Sequence, residues 1–338
     1  MRRLAWAGIL LLLIPALAWT VWWWWAASAV ERGALDWMEA RRAEGALVEH
    51  QGLRVEGFPF ALRATVEAPH LAMRGMEWRG VRLVAEAPAW DYRRIALTLP
   101  GEQRASVAQA GLVPLELLSR GGGTGHALLT GAGQPLELQL GFTDLMAQPE
   151  AAPTAIAALG VTVRQPAEPP ATHKETGLSL ALTATGITLP EGLPDAVAGP
   201  LGRSIPKLEA AARIQGRPPR IEPPSLSAWS RDGGTVELDR LALDWGPAAA
   251  ALNGTLALDE ALQPQGALSA ELRGADKLLA AVEPQLPRNQ VTLARTVVAM
   301  LSRPGADGTP VIQAPVTLQN GALFLGPLKL MPLPRFSW

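Results

Sequence analysis

Cysteine is absent from these 338 residues, which removes disulfides, iron–sulfur clusters and thiol catalysis. It does not forbid an oxidising compartment, because a chain this long builds a core without covalent staples. Tyrosine occurs once and phenylalanine five times, so aromatic stacking surfaces for bases or sugars are poorly supplied. The net charge is −1, which leaves no general attraction to nucleic acid. The histidines (His50, His70, His126 and His173) are scattered, and none pairs with another at metal-ligand spacing. No nucleophile elbow of the Gly-x-Ser-x-Gly kind occurs; Gly202-Arg203-Ser204 lacks the second glycine. Phosphate loops and dinucleotide fingerprints are missing, and Gly131-Ala132-Gly133 reads as a turn. Paired carboxylates occur only as Asp259-Glu260, which suit a hairpin end. These absences point away from an enzyme: no catalytic residue, cofactor or metal ligand is assigned. A hydrolase assembled from unpatterned residues is the catalytic alternative.

What is present begins at the N-terminus. Arg2 and Arg3 are followed by a charge-free stretch from Leu4 through Val30, with four tryptophans, Trp22, Trp23, Trp24 and Trp25, near its far end. The stretch exceeds the ~20 residues a helix needs to cross a bilayer. Tryptophan collects where hydrocarbon meets water, so these four mark a membrane interface. A cleaved signal peptide is the competing reading, ending at Pro15-Ala16-Leu17-Ala18 or at Ala27-Ser28-Ala29. Cleavage at the first site would leave a Trp-rich start, and the run is longer than a signal needs for the second. An uncleaved anchor over 1–30 is therefore expected. Arginines flank it on both sides, so the signal-like layout sets the orientation: an inner-membrane, single-pass protein with its body in the periplasm. Residues 31–45 read as a juxtamembrane helix, either a stalk or a lipid-sensing interfacial helix.

After Gly45 the hydrophobic period changes to two. Phe60, Leu62, Ala64 and Val66 alternate with Ala61, Arg63, Thr65 and Glu67. The same alternation recurs over 81–87, 95–99, 136–142, 178–185, 236–243, 254–258, 266–272 and 321–325. Glycine (33) and proline (30) punctuate these runs, as short strands and turns require. Helices are expected at 194–201, 275–282 and 289–302, and loops at 119–125, 144–154 and 164–176. The fold class is mainly β (α+β): an N-terminal transmembrane helix, then a large curved antiparallel sheet over 46–338 with a few peripheral helices. Halves at 46–190 and 191–338 and one continuous sheet are both compatible with the pattern.

Gly57-Phe58-Pro59-Phe60 reads as a structural corner: glycine permits positive φ, proline sets the bend, and the phenylalanines plug either side. Trp78, Trp90, Trp229 and Trp245 read as core or corner tryptophans, and Asn320-Gly321 as a hairpin turn. The small aliphatic residues on one face of strand after strand have two readings. One is a packed core. The other is an apolar groove left partly open, able to hold acyl chains at ~0.8 kcal/mol per buried CH₂.

Several segments in order resemble a family of bacterial membrane-anchored proteins known as a domain of unknown function, number 2125. They are the Trp-containing anchor and Gly57-Phe58-Pro59-Phe60, then Trp229-Ser230-Arg231-Asp232-Gly233-Gly234 and Leu243-Asp244-Trp245-Gly246-Pro247. Asn253 to Asp259, Gln263-Pro264-Gln265-Gly266 and Gln319 to Pro327 complete the series. The resemblance implies an envelope protein and supplies no catalytic residues. At the level of fold alone, the pattern is similar to AsmA-like envelope proteins, which join an N-terminal anchor to strands curling into an apolar groove. The expected function is a non-catalytic envelope protein, with the bilayer as partner and a lipid or other apolar ligand in the groove. A scaffold recruiting envelope proteins is the alternative.

Overall fold

The computed structural model describes residues 2–73, 75–108, 113–148, 150–285, 288–305, 310–326 and 328–338. The chain opens with one helix, α1 (Arg2–Ala43), which continues without a break through the expected boundary at residue 30. Anchor and juxtamembrane helix are therefore a single element. Gly33 costs the helix about 1 kcal/mol, and its alanine, glutamate and arginine neighbours favour helix enough to carry it through. Gly45, at φ +87°, turns the chain after α1. The Arg42 guanidinium then donates to the Val48 carbonyl at 2.6 and 2.8 Å.

The body is an open, curved and mostly antiparallel sheet, with 51% of the chain in strand. It is an up-and-down meander whose first passes are each bent in the middle. β1 (Leu47–Glu49) and β2 (Gly52–Glu56) make the first pass, and β3 (Ala61–Glu67) and β4 (His70–Met73) the second. β5 (Met76–Gly80) with β6 (Arg82–Pro88), β7 (Arg94–Leu99) with β8 (Gln103–Val107), and β9 (Leu115–Ser119) with β10 (Gly123–Leu129) follow. One half of each pass pairs in the series β2–β3–β6–β7–β10. The other half pairs as β1–β4–β5–β8–β9. β11 (Pro135–Ala147) is long enough to pair with both β10 and β9 along one edge.

From β11 the ladder runs through β12 (Thr154–Arg164), β13 (Thr176–Thr188), β14 (Ser204–Gln215), β15 (Val236–Trp245), β16 (Ala248–Leu258) and β17 (Pro264–Arg273). β17 pairs with β19 (Pro310–Gln319), whose other edge takes β18 (Ser302–Pro304) and β20 (Ala322–Leu325); β21 (Leu328–Pro332) ends the sheet. The ladder is continuous between β13 and β14, so the connection near 186–204 joins adjacent strands.

A crease crosses the meander at right angles to the strands. It passes through 50–51, 68–69, 81, 100–102 and 120–122, then through Asp144, Ala157, Gly186 and Pro206, which stand in the same register. Ala68, Gly101, Gly122, Asp144 and Gly186 have φ between +45° and +76°, a local reversal that re-aims each strand.

Helices close the two ends of the sheet. α2 (Asp195–Leu201), α4 (Ala275–Val282) and α5 (Arg288–Leu301) lie at the end opposite the 57–60 turn, close to where the sequence places them. Leu201, Ala248 and Ala281 form a small core there with Val197, Leu278 and Trp245. α3 (Pro223–Arg231), which the apolar pattern does not announce, sits at the near end. Its Pro-Pro start suits the first helical turn, where a missing N–H costs nothing.

Two expected loops are shorter than their composition suggests. The loop over 119–125 shrinks to 120–122, because Gly123 and Gly125 belong to β10, where their lack of a side chain lets Phe142 and Leu140 lie across them. The loop over 144–154 shrinks because β11 runs on to Ala147 and β12 starts at Thr154. The connection between β12 and β13 is the loop expected at 164–176. β12, β14 and β19 are not among the runs singled out from sequence, although Leu159, Val161 and Val163, then Leu208, Ala210, Ala212 and Ile214, and Ile312, Ala314, Val316 and Leu318 carry the same alternation. β19 even contains Pro315, which sits where neither β18 nor β20 reaches its outer edge.

The Gly57-Phe58-Pro59-Phe60 corner joins β2 to β3. Gly57 sits at φ +110°, and a Cβ there would lie 2.7 Å from the Ala61 carbonyl oxygen. Gly57→Ala is expected to destabilise the chain by more than about 1 kcal/mol, read as a lowered thermal midpoint of the full chain in mild detergent.

Candidate functional site

The register places the alternating aliphatic residues on one continuous face. Val55 lies opposite Ala64, Ala64 opposite Ala85, and Ala85 opposite Leu97. The row continues through Gly125, Leu140, Val161 and Leu182. It then crosses Ala210, Leu241, Leu252, Ala270 and Ala314. The sequence pattern singles out members of this row one strand at a time; only the pairing shows that they align.

This face is covered at its margins and bare between them. At the first edge α1 lies on it, with Trp23, Ala26 and Ala27 packed against Leu62 and Ala89, and Trp19 and Val55 alongside. At the far end α2 and α4 pack over Trp245 and Ala248, and Ile312 lies beneath α5. A third cluster, Ala184, Ile187 and Ile205, gathers at the crease. Between these margins the leucines are half-exposed, and Leu180 is 40% exposed. No large side chain among the described residues is fully buried. The accessible surface is 20620 Å², against about 13,000 Å² for a compact protein of this mass. The exposed part of α1 and the half-exposed apolar face of the sheet both contribute to that excess.

The opposite face is ionic. Arg63 pairs with Glu86 at 2.6 Å, Arg164 with Glu137 at 3.0 Å, and Arg213 with Asp239 at 2.6 Å. Arg82 meets Glu67 at 2.9 Å, and Glu209 lies between Lys207 and Arg240. These pairs are solvent-exposed and contribute little stability one by one. Their value here is diagnostic: they identify the face that water wets. Hydrogen bonds from Arg79, then from His70, hold the Glu77 carboxyl below the usual carboxylate range. Arg164 and Gln139 do the same for Glu137.

The histidines lie apart. His70 has Glu49 and Glu77 at its two ring nitrogens, 3.2 and 3.0 Å away. His50 lies at the crease, His126 on the ionic face opposite Gln139, and His173 in the loop against Gly216 and Gly233. Among the described residues, no group of three or more acidic or histidine side chains has metal-binding geometry.

The aromatic residues are placed more informatively. The four clustered tryptophans divide: Trp23 is 3% exposed, while Trp22, Trp24 and Trp25 face outward. Trp19 Nε1 donates to the Pro59 carbonyl and Trp23 Nε1 to the Ala61 carbonyl, both at 2.9 Å. Trp23 also meets Phe58 edge-on at 5.5 Å. The two motifs found separately in the sequence, the tryptophan run and the Gly-Phe-Pro-Phe corner, thus form one joint. The phenylalanines do not plug the corner on both sides as expected: Phe58 is 50% and Phe60 69% exposed. Their rings face outward because the indole of Trp23 already fills the space inside the turn.

Trp229 is buried and donates to the Gln215 carbonyl at 2.8 Å, with Gly234 beneath its ring. Trp245 donates to the Gly202 carbonyl at 3.0 Å. Trp90 is a corner residue and not a core one, exposed in the turn between β6 and β7 because nothing from the sheet reaches over that turn. A cleft of about 660 Å³ opens there on the ionic face, between Phe60, Trp90, Arg94 and His126.

Sequence reasoning misses the buried polar residues of the crease, which carry no recognisable signal. Gln103 accepts from Trp78 Nε1 at 3.2 Å and donates to the Pro100 and Gly101 carbonyls. Ser119 donates to the Gly122 carbonyl at 2.9 Å. Both occupy backbone groups that the interrupted ladder leaves without strand partners.

Fold and face define a β-sheet protein with one long apolar N-terminal helix, an ionic surface and a partly covered apolar one. The chain belongs to the DUF2125 family, an uncharacterised protein conserved in bacteria, whose family model matches residues 23–334. Pro327, the last residue of the motif series, lies outside the described residues. Neither the curated proteins nor the solved structures yield a match to the chain.

Gln103→Leu is expected to cost about 1–3 kcal/mol, because it leaves the Trp78 N–H and two carbonyls unpaired at a buried site; thermal unfolding of the full chain reads this directly. Glu77→Gln should lower the melting temperature at about pH 7 and converge with the wild type under acid, because a carboxyl with a lowered value contributes stability only until acid protonates it. A gap of undiminished size at about pH 2 would contradict that origin.

Proposed function

We propose that this protein is a non-catalytic, membrane-anchored envelope protein that holds lipid acyl chains against the apolar face of its sheet. The observation that carries this reading is the row from Val55 to Ala314. Its aliphatic side chains are in register, it bears no charged residue, and among the described residues no second layer covers it between α1 and the far-end helices. A contiguous apolar surface left exposed marks an interaction site. The row offers no hydrogen-bonding side chain, so it suits methylene chains, gripped by area and not by specific polar contacts.

α1 supports the membrane half of the reading, being long and apolar enough to span a bilayer. The basic start at Arg2 and Arg3 and the signal-like layout favour insertion in the inner membrane with the body in the periplasm.

The full chain, extracted in mild detergent and exchanged into lipid-free amphipol, should retain lipid detectable by mass spectrometry of the organic extract. Leu182→Asp and Leu241→Asp each place a charge in the middle of the face and should reduce that lipid by about tenfold or more, given the cost of setting a charge against hydrocarbon. Arg63→Gln on the ionic face should leave it unchanged. If the wild type carries no lipid, or if Arg63→Gln loses as much as Leu182→Asp, the reading fails.

A further inference from the structure

We infer that the end of the sheet beside the anchor docks into the bilayer interface through the aromatic turns at 57–60 and 89–93, so that the apolar face begins at the membrane surface. The inference rests on the anchor reading above and adds where the body sits. At 1.5 Å per residue, the ~30 Å hydrocarbon core takes up about 20 residues, so a core that starts at Leu4 ends near Trp23. Trp23 is the residue whose indole bonds the Ala61 carbonyl, one turn of helix beyond the Trp19–Pro59 bond. Those two bonds hold the 57–60 turn at the depth where α1 leaves the hydrocarbon.

The distribution of aromatic rings points the same way. The connections at the far end of the sheet, 108–114, 148–153, 189–203 and 274–301, contain no phenylalanine, tyrosine or tryptophan. At the near end, Phe60 and Trp90 are each 69% exposed, and Phe58 and Tyr92 50%. Tyr92 donates its hydroxyl to the Gly131 carbonyl at 3.0 Å, which ties the 89–93 turn to the next one along the same edge. Rings with one wet and one dry side belong at the headgroup level, and exposed Phe and Trp in water serve no packing purpose. The occupant of this surface is therefore the lipid interface itself, continuous with the interface that the tryptophans of α1 already occupy.

The cysteine-free chain allows single-site labelling without background. Phe60→Cys, Trp90→Cys and, as the far-end reference, Asp276→Cys are each labelled with an environment-sensitive fluorophore in the full chain, reconstituted in phosphatidylethanolamine–phosphatidylglycerol vesicles. Lipids carrying a nitroxide near the headgroup should quench positions 60 and 90 at least about threefold more than position 276. Equal quenching at all three positions overturns the docking. A chain that retains no lipid yet shows deep labels at 60 and 90 keeps the docking and loses the acyl-chain reading. A chain that retains lipid while those labels stay in water does the reverse.

Discussion

An antiparallel sheet with one aliphatic face must put that face against something, because each uncovered apolar Å² leaves about 25 cal/mol of burial unused. Most β folds meet this demand with a second sheet or a layer of helices. Here the far-end helices and α1 cover only the margins of the face. The centre, around Val161, Leu182 and Leu241, is half-exposed. The position of α1 on the first edge and the ionic pairs on the outer surface follow from having one face apolar and the other charged.

The crease shows how so broad a sheet is held in shape. Strands as long as these would carry a smooth twist across the whole sheet. Positive-φ residues at aligned positions bend them along one line instead. Each bend frees backbone carbonyls from the ladder, and buried polar side chains such as Gln103 and Ser119 take them up. Ala184, Ile187 and Ile205 gather along the same line and form one of the buried clusters of the sheet.

Much of the architecture was legible in the residues. Period-two alternation located most of the strands that matter for the face, and α4 falls where its sequence pattern puts it. β14 and β19 were not singled out: Pro206 and Pro315 argue against a central strand, yet the alternation of Leu208, Ala210, Ala212 and Ile214 and of Ile312, Ala314, Val316 and Leu318 runs on, and the pairing makes them strands. Glycine misled at 121–125, where a run that looks like a linker contributes flat positions to β10. Trp90 read as a corner or core residue, and only the fold shows it exposed next to Phe60. The buried Gln103 was silent in the sequence, because its partner Trp78 comes from a neighbouring strand and no pattern marks a glutamine beside the bend at 100–102.

The sequence by itself determined which side chains are apolar, that they alternate, and that the chain begins with a stretch long enough to cross a bilayer. Those are local properties: the period of a strand and the length of a helix depend on adjacent residues alone. Only the tertiary structure decided that the apolar rows join into one face, that among the described residues no second layer covers its centre, and that Trp19 and Trp23 of α1 grip the Gly57–Phe60 corner. These depend on which strands become neighbours and what comes to lie above them, and such contacts join residues far apart in the chain.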